Sequence, residues 1–422
     1  MDAPTIVVMG LGYVGLPTAA VFASRRIHVL GVDINQRAVD TVNQGKIHIV
    51  EPSLDIIVRA TVTEGYLRAA TLPEPADAFL IAVPTPFKDG KVPDLRYVEA
   101  ATRALATVLQ PGNLVVLEST SPVGTTENMC VWLAEERPDL TFPHTHGEAS
   151  DIRVAHCPER VLPGHVIREL VENDRVIGGI TPKCAEASVE LYKKVVQGEC
   201  IATTARTAEM AKLTENSFRD VNIAFANELS LICDRLDINV WEMIRLANRH
   251  PRVNILQPGA GVGGHCIAVD PWFIVDSAPE QSRIIRAARE INDGKPDWVL
   301  AKVERAMMAM EADKPGIQRS DIKVACLGVA FKPDIDDLRE SPALHITQAI
   351  AGLGCQVLVV EPNVSELPPS LQAGNIHQAN MLQVLQTADI TCVLVKHASF
   401  IEVRSLLQQV EGLIDVVGLT HQ

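Results

Sequence analysis

The length, composition and charge of the chain exclude several classes of protein. With 422 residues it is too long for one ordinary hydrophobic core, so we expect two or three domains. Hydrophobic residues make up 47% and charged residues 21%, which is typical of globular proteins and excludes disordered and fibrous chains. A formal net charge of -14 at pH 7, without any run of five basic residues, argues against a nucleic-acid partner.

The cysteines and the apolar runs exclude further classes. Nine cysteines are scattered without a CxxC pair or a Cys/His cluster at metal-ligand spacing, so we predict neither a disulfide framework nor a metal site. Most of them should be reduced and buried. The chain enters an apolar strand directly, without a basic and hydrophobic leader, and no apolar run reaches about 18 residues. These features predict a cytoplasmic protein with no membrane partner.

The first part of the chain alternates β-rich runs with helical segments. The runs are TIVVMG, HVLGVD, AFLIAVP, LVVLEST, VAHCPE and RVIGGI, between residue 5 and about residue 179. Each consists mainly of apolar and β-branched residues, which is typical of parallel strands buried on both faces. We therefore predict a doubly wound α/β domain over residues 1–204.

The middle and the end of the chain have different patterns. From Ala205 to about Leu236 the apolar spacing is helical and contains no Gly or Pro, which predicts one helix of about 30 residues. A glycine-rich loop at 258–265 interrupts further helical sequence, and residues 205–312 are predicted as a helical domain. Four more β-rich runs, IKVACLG, VLVVEP, DITCVLV and GLIDVVG, predict a second Rossmann-like domain over 318–422. The predicted fold class is therefore α/β, with two Rossmann-like doubly wound domains joined by a central helical domain.

A dinucleotide site is predicted at the first strand. The loop GLGYVG follows this strand and precedes a helix; it consists of Gly10, Gly12, Tyr13, Val14, Gly15 and the intervening Leu11. Its glycines permit a tight turn and close approach to a diphosphate at the helix N-terminus. Asp33 ends the next strand, where a carboxylate binds ribose hydroxyls and repels a 2'-phosphate, so NAD is predicted rather than NADP. Arg37 is close enough to stack on adenine or to pair with a 2'-phosphate.

The nicotinamide side is predicted from the same strand order. Ligands bind beyond the carboxyl ends of parallel strands. Thr85 follows AFLIAVP, and a hydroxyl-rich segment follows LVVLE. The residues expected to line this side are Thr85, Ser119, Thr120 and Thr126.

A second group of reactive residues surrounds one cysteine. Cys266 follows the loop PGAGVGGH, and Asp270 lies four residues beyond it. A cysteine activated by nearby N–H groups or cations can attack an aldehyde, and a carboxylate one turn away can move a proton. A single cysteine is most often a small buried apolar residue, but the glycine-rich setting favours a nucleophile.

Several motifs in order resemble the UDP-glucose/GDP-mannose dehydrogenase family. They are GLGYVG, ESTSPVGTT, CPERVLPG, EMAKLTENSFRDVNIAFANE, GGHCIAVDP and LGVAFKPDIDDLRESP, which together span the whole chain. The resemblance implies an NAD enzyme that oxidises a sugar-nucleotide alcohol twice, to the acid, through a thioester on Cys266. It also implies a cytoplasmic homodimer or higher oligomer that supplies surface polysaccharide synthesis.

The resemblance assigns roles to individual residues. Lys212 and Asn216 are four residues apart on the predicted long helix and share a face with Glu209 and Arg219. The implied catalytic residues are Cys266, Lys212, Asp270, Asn216, Glu159 and Thr120. Arg339 is added to the cofactor residues, and the implied substrate-binding residues are Arg160, Val161, Lys212, Asn216, Arg219, His250, Arg252, Gly263, Phe331 and Lys332. In the family, the arginine aligned with Arg252 can come from a neighbouring subunit.

The substrate prediction rests on departures from the UDP-glucose pattern. UDP-glucose members usually read GGSC with a lysine before the aspartate, whereas here His265 and Val269 stand at those positions. Pro163 replaces a second glutamate, and the segment GLIDVVGLTHQ lacks an arginine. The resemblance is therefore to the branch that acts on UDP-N-acetylhexosamines, with UDP-N-acetyl-D-mannosamine expected first. UDP-N-acetylglucosamine and UDP-glucose remain alternatives.

The proposed chemistry leaves some roles open. The alcohol proton passes to Lys212, or to water held by Lys212 and Asp270, and the thioester water is activated by Glu159 or Asp270. A rival interpretation is a two-electron hydroxyacid-type dehydrogenase, which shares the Rossmann domain and a helical lysine but needs no cysteine. A second rival is a non-catalytic protein that binds NAD or a sugar nucleotide, which need not keep the cysteine, lysine and aspartate together.

Overall fold

The chain divides into two compact units. The computed structural model describes residues 5–49, 51–162, 164–264, 266–372 and 374–421. The N-terminal unit comprises Met1–Glu215 with Asp276–Ala278, and the C-terminal unit comprises Asn216–Val275 with Pro279–Gln422. The three domain boundaries given above remain a prediction.

An eight-stranded sheet forms the N-terminal unit, in the order β3-β2-β1-β4-β5-β6-β7-β8. The strands are β1 (Ile6–Met9), β2 (Val29–Val32), β3 (Leu67–Ala70), β4 (Ala78–Ile81), β5 (Leu114–Leu117), β6 (Arg153–His156), β7 (Arg175–Gly179) and β8 (Cys200–Thr204). Neighbours are parallel except β6 and β7, which are antiparallel. The prediction that RVIGGI continues a fully parallel sheet was wrong, because an apolar run indicates burial on both faces but not strand direction.

Helices cover both faces of this sheet. They are α1 (Gly15–Ser24), α2 (Gln36–Asn43), α3 (Leu54–Thr63), α4 (Arg96–Ala106), α5 (Thr125–Glu136), α6 (Pro143–His146), α7 (Val166–Glu172) and α8 (Pro182–Tyr192). Successive side chains of a strand point to opposite faces. Accordingly, Ile6 and Val8 belong to one apolar core, and Val7 and Met9 belong to the other. The doubly wound prediction is confirmed.

Long helices dominate the middle of the chain. They are α9 (Ala205–Arg235), α10 (Val240–Ala247), α11 (Asp270–Ser277) and α12 (Arg283–Asp313). Helix α9 has 31 residues, which confirms the prediction of one helix of about 30 residues. In the C-terminal unit a polar seam joins α9 to α12. It contains a buried ion pair between Asp220 and Arg289 at 2.6 Å and an Asn227–Asn292 hydrogen bond at 2.8 Å.

A second, parallel sheet completes the C-terminal unit, in the order β11-β10-β9-β12-β13. Its strands are β9 (Lys323–Leu327), β10 (Gln356–Val360), β11 (Ile376–Gln378), β12 (Ile390–Val393) and β13 (Leu413–Asp415). The accompanying helices are α13 (Pro342–Gly352), α14 (Met381–Thr387), α15 (Ala398–Glu402) and α16 (Arg404–Leu407). The second Rossmann-like domain is confirmed, with one strand more than the four predicted. Strand β11 is three residues long and its sequence, IHQ, has no apolar run.

Both sheets have a topological switch point beside their first strand. The strand order reverses between β1 and β4 in one sheet and between β9 and β12 in the other. In open α/β sheets, ligands bind in the crevice beyond the carboxyl ends of the strands at such a point. The segments that follow β1 and β9 are therefore placed to bind ligands.

Candidate active site

The glycine loop after β1 forms a cradle that fits a dinucleotide diphosphate. Gly10 has a φ of +93°, and a Cβ there would lie 2.6 Å from the main-chain oxygen of Ala82. A Cβ at Gly15 would lie 1.9 Å from the oxygen of Gly10, whereas at Gly12 it would meet no described atom within 4 Å. The loop is thus packed closely against the rest of the protein at Gly10 and Gly15, whereas space remains beside Gly12. Its amides lead into the N-terminus of α1, a favourable position for phosphate.

Asp33 lies at the end of β2, beside this loop. Its Oδ2 accepts the Leu11 N–H at 2.9 Å and its Oδ1 accepts the Asn35 N–H at 2.8 Å. The carboxylate is half-buried, and lone pairs remain for ribose hydroxyls. Tyr13 in the loop and Arg37 in the first turn of α2 are exposed, as is expected for side chains that flank a ligand. These residues fit NAD.

Two of the hydroxyl residues predicted on the nicotinamide side donate to main-chain oxygens. The Thr85 hydroxyl donates to the Thr120 carbonyl oxygen at 2.6 Å, and the Ser119 hydroxyl donates to the Val83 oxygen at 2.7 Å. These bonds tie the segments after β4 and β5 together beside the switch point. The structure therefore brings Thr85, Ser119 and Thr120 together.

Glu209 has a role that differs from the prediction. It was expected to share an active-site face of α9 with Lys212, but its side chain is fully buried. Its carboxylate accepts the Gly124 N–H at 2.7 Å, the Thr126 N–H at 2.8 Å and the Thr126 hydroxyl at 2.6 Å. Burial raises the pKa of Glu209, although these hydrogen bonds oppose the rise. Glu209 thus caps the N-terminus of α5 and fixes Thr126.

Glu159 follows β6 and is ion-paired inside the N-terminal unit. Its Oε2 accepts from Nη1 of the buried Arg175 at 2.8 Å, and its Oε1 accepts the Arg160 N–H at 2.7 Å. The Arg160 guanidinium in turn pairs with Glu215 at 2.7 Å. Glu159 is therefore an oriented carboxylate, and Arg175 is a partner that the sequence prediction missed. An arginine that opens an otherwise apolar strand is the signal that indicates it.

Lys212 lies on the first part of α9, half-buried in the N-terminal unit. It is close to His156, a residue at the end of β6 that is wholly buried and whose ring nitrogens have no hydrogen-bond partner among the described residues. Burial, with a smaller contribution from the Lys212 charge, lowers the pKa of His156 to about 3. The imidazole is therefore neutral, so it adds no positive charge beside the lysine.

The C-terminal unit contains the cysteine and its two polar neighbours. Of the nine cysteines, seven are buried, Cys200 is half-buried and Cys266 is exposed, which confirms the expectation for most of them. Asp270 begins α11, and its N–H donates to the Cys266 carbonyl at 2.9 Å. The Asn216 amide donates to Asp270 Oδ2 at 2.6 Å. Asn216, Cys266 and Asp270 therefore form one local arrangement with a reachable thiol.

The glycines before Cys266 are required by close packing in the C-terminal unit. A Cβ at Gly263 would lie 2.4 Å from the main-chain oxygen of Glu340. At Gly264, where φ is +81°, it would lie 2.7 Å from the Phe331 ring. The glycine loop thus lies directly against the segment that contains Phe331 and Lys332.

The remaining predicted binding residues are mostly at the surface. Lys332, Arg219, His250 and Arg252 are exposed, whereas Val161 is half-buried against the apolar core. Arg339 is exposed and forms a two-pronged ion pair with Asp337. Pro163 and His265 lie outside the described residues. Among the residues described, no helix is long and apolar enough to cross a membrane, and no group of three metal-ligand side chains occurs.

Comparisons with known proteins agree along the chain. Residues 4–196, 206–294 and 325–421 match, in that order, the NAD binding domain, the central domain and the UDP binding domain of the UDP-glucose/GDP-mannose dehydrogenase family. The chain is 65% identical over 403 residues to UDP-N-acetyl-D-mannosamine dehydrogenase of Campylobacter jejuni, a match that covers 95% of this chain and 97% of that protein.

Two further relatives cover the chain almost completely. It is 63% identical over 421 residues to NDP-N-acetyl-D-galactosaminuronic acid dehydrogenase of Ralstonia nicotianae, covering 99% of this chain and 97% of that one. Among solved structures it is similar to UDP-D-ManNAc dehydrogenase from Pyrococcus horikoshii. The TM-score is 0.85 at 38% identity, with 98% and 95% of the two chains covered.

Proposed function

The chain belongs to the UDP-glucose/GDP-mannose dehydrogenase family, and we propose that it oxidises UDP-N-acetyl-D-mannosamine at C6 to UDP-N-acetyl-D-mannosaminuronate. NAD is its cofactor. The name of the relative at 65% identity supports the substrate. The exposed Cys266, at the end of a closely packed glycine loop, is the observation that carries the four-electron chemistry.

The chain's own residues are assigned the following steps. Lys212, directly or through water that it holds with Asp270, takes the proton of the C6 hydroxyl while a hydride leaves C6, which gives an aldehyde. The Cys266 thiolate adds to the resulting aldehyde carbon to form a thiohemiacetal, while Lys212 and Asn216 stabilise its oxyanion. Loss of a hydride converts this adduct to a thioester. NAD, when bound, accepts the hydride of each of the two oxidations.

Hydrolysis of the thioester completes the reaction. Water attacks the acyl carbon, the carboxylate is released and the Cys266 thiol is restored. Of the two carboxylates considered for activating this water, Asp270 is hydrogen-bonded to an amide donor, whereas Glu159 is ion-paired to a buried guanidinium. Because the Glu159 carboxylate is held by the Arg175 guanidinium and by the Arg160 N–H, we assign an orienting role to Glu159 and the base role to Asp270.

The remaining sites and domains follow this assignment. We assign NAD binding to residues 1–204, with Gly10, Gly12, Asp33, Thr85 and Thr126 among its contacts and Thr120 at the reacting end. We assign the catalytic cysteine and subunit contact to 205–312, and the UDP-sugar to 318–422. Arg160, Arg252 and Lys332 are assigned to the substrate diphosphate, and Arg339 to the cofactor.

A second substrate is favoured by one comparison. The relative at 63% identity, which matches almost the full length, is named for NDP-N-acetyl-D-galactosaminuronic acid. UDP-N-acetylgalactosamine is therefore the second candidate, with the same chemistry at C6 of a sugar whose configuration differs at C2 and C4.

The test is the yield of NADH per sugar nucleotide consumed. UDP-N-acetylmannosamine, UDP-N-acetylgalactosamine, UDP-N-acetylglucosamine and UDP-glucose are compared with wild type, Cys266→Ala and the matched control Cys200→Ala. We expect two NADH from the mannosamine nucleotide, loss of turnover in Cys266→Ala and no loss in Cys200→Ala. One NADH per sugar, or full turnover by Cys266→Ala, would refute the thioester. Preference for the galactosamine nucleotide would transfer the assignment to the second candidate.

We propose that the protein is a homodimer joined through α9. Phe218, Phe225 and Ile232 follow each other at seven-residue spacing and are 68%, 52% and 47% exposed. A row of exposed large apolar residues along one helix is typical of a protein interface, and the heptad spacing fits a second copy of the same helix. Phe225→Glu should give monomers in sedimentation velocity, whereas Tyr97→Glu, at a 45% exposed aromatic residue elsewhere, should not. A wild-type monomer would contradict the proposal.

We also propose that the reaction takes place in the cytoplasm. An exposed nucleophilic cysteine and eight further free cysteines suit a compartment that keeps thiols reduced. Fractionation of the producing cell tests this, and activity confined to an oxidising compartment would contradict it.

A further inference from the structure

The segment after β9, residues 328–334, is held at both ends by two buried polar side chains. We call this segment the β9 loop. At its start, the Val329 and Ala330 N–H groups donate to Glu361 Oε2 at 2.8 and 3.1 Å. At its end, the Asp334 N–H donates to His397 Nδ1 at 2.9 Å. Both side chains are at most 5% exposed.

Glu361 and His397 also bind each other. Because His397 Nδ1 accepts a hydrogen bond from a main-chain N–H, the ring proton lies on Nε2, which faces Glu361 Oε2 at 3.2 Å. Burial acts to raise the pKa of Glu361, but the hydrogen bonds from His397 and from the Val329 and Asn363 N–H groups outweigh it and lower that pKa. The pair is therefore an ionised carboxylate and an imidazole of defined tautomer.

The β9 loop contacts the glycine loop that precedes the proposed nucleophile. Phe331 projects from the middle of the β9 loop, and a Cβ added at Gly263 or Gly264 would lie 2.9 or 2.7 Å from it. The Gly264 N–H also donates to the Arg339 carbonyl at 3.2 Å, just beyond this loop. Cys266 lies two residues after Gly264 in the chain. A displacement of Phe331 would therefore displace the glycine loop and, with it, the Cys266 thiol.

We propose that Glu361 and His397 are positioning residues that hold Phe331 against the glycine loop and thereby set the position of Cys266. The inference rests on the proposed function only where it takes Cys266 as the nucleophile. Replacing a buried ionised group and its polar partner with apolar residues is often neutral or stabilising, so stability alone does not account for the pair. Fixing three main-chain N–H groups of a ligand-binding segment does account for the pair.

The experiment compares Glu361→Gln and His397→Gln with His377→Gln. His377 is exposed on the edge strand β11 of the same sheet and is the matched control. The first readout is the rate at which iodoacetamide alkylates Cys266 in the free enzyme, with Cys266→Ala giving the contribution of other thiols. The second readout is the change in the KM for the UDP-sugar, compared with the change in the KM for NAD.

We expect the alkylation rate to change, and the KM for the UDP-sugar to rise, by about tenfold, the effect of losing one hydrogen bond to a charged group. The KM for NAD and both properties of His377→Gln should stay within about twofold of wild type. Folded Glu361→Gln and His397→Gln proteins that alkylate and bind sugar as wild type does would overturn the proposal.

A second variant keeps the test decisive if the buried changes prevent folding. Phe331→Ala removes the contact with the glycine loop without altering the buried pair, and it should also change the alkylation rate by about tenfold. An alkylation rate within about twofold of wild type in Phe331→Ala would overturn the proposal by itself. If wild type fails to oxidise any UDP-sugar, the proposed function fails, whereas the alkylation rates still decide this inference.

Discussion

Substituting Glu118 with Gln should stabilise the N-terminal unit in a pH-dependent way. Glu118 follows β5 and is 1% exposed, and the Tyr192 hydroxyl donates to its Oε1 at 2.6 Å. Burial raises the pKa of Glu118 from 4.5 to about 7, although the Tyr192 hydrogen bond opposes the rise. Gln is of nearly the same shape, and its amide oxygen can accept from Tyr192, but it carries no charge to bury.

The size and sign of the effect follow from proton linkage. At pH values between 4.5, the unfolded pKa, and about 7, the folded pKa, Glu118 is protonated more fully in the folded state than in the unfolded state. The stability of the unit is therefore full below pH 4.5 and falls as the pH rises through 7. At about 1.4 kcal/mol per pKa unit, the loss at high pH is about 3 kcal/mol. Glu118→Gln should therefore be more stable than wild type by about 3 kcal/mol at pH 8.5, and by less than about 1 kcal/mol at pH 4.5.

Urea unfolding at the two pH values measures this difference. The unfolding transition of the N-terminal unit is the one whose midpoint moves to higher urea concentration when NAD is added, because a ligand that binds only the folded state stabilises that state. The exposed Glu148→Gln is the matched control and should show no such pH-dependent gap. A gap for Glu118→Gln that is equal at both pH values, or larger at low pH, would refute the reasoning.

Three further changes test other parts of the structure. Arg289→Met leaves Asp220 buried without its cation and should cost about 3–5 kcal/mol in urea unfolding, with partial recovery when Asp220→Asn is added. Gly263→Ala places a Cβ 2.4 Å from a main-chain oxygen and should lower kcat at least about tenfold, since a small displacement near the reacting groups is costly. Gly294→Ala, in open space on α12, should not lower kcat. Asp33→Ser should raise the KM for NAD and reduce the preference of the enzyme for NAD over NADP. If the KM values for both cofactors stay as in wild type, Asp33 does not belong to the cofactor site.

Much of the fold was predictable from local patterns. The glycine loop, Asp33 and the long helix follow from residue spacing alone, because a turn, a helix start and an apolar period are encoded within a few neighbours. The short edge strands β3, β8 and β11 were missed. They are three to five residues long and lack a continuous apolar run, since an edge strand is only partly buried.

In the candidate site, too, the local features were predictable from the sequence and the contacts between distant residues were not. Cys266 and Asp270 stand four residues apart in a glycine-rich sequence, so their association was predictable. Partners distant in sequence were not. The pairing of Glu159 with Arg175, the capping of α5 by Glu209, and the buried pair formed by Glu361 and His397 join residues from different elements. Which distant polar groups meet, and which carboxylate is therefore a base, a cap or an orienting group, depends on strand direction and helix packing, and these are decided only when the chain folds.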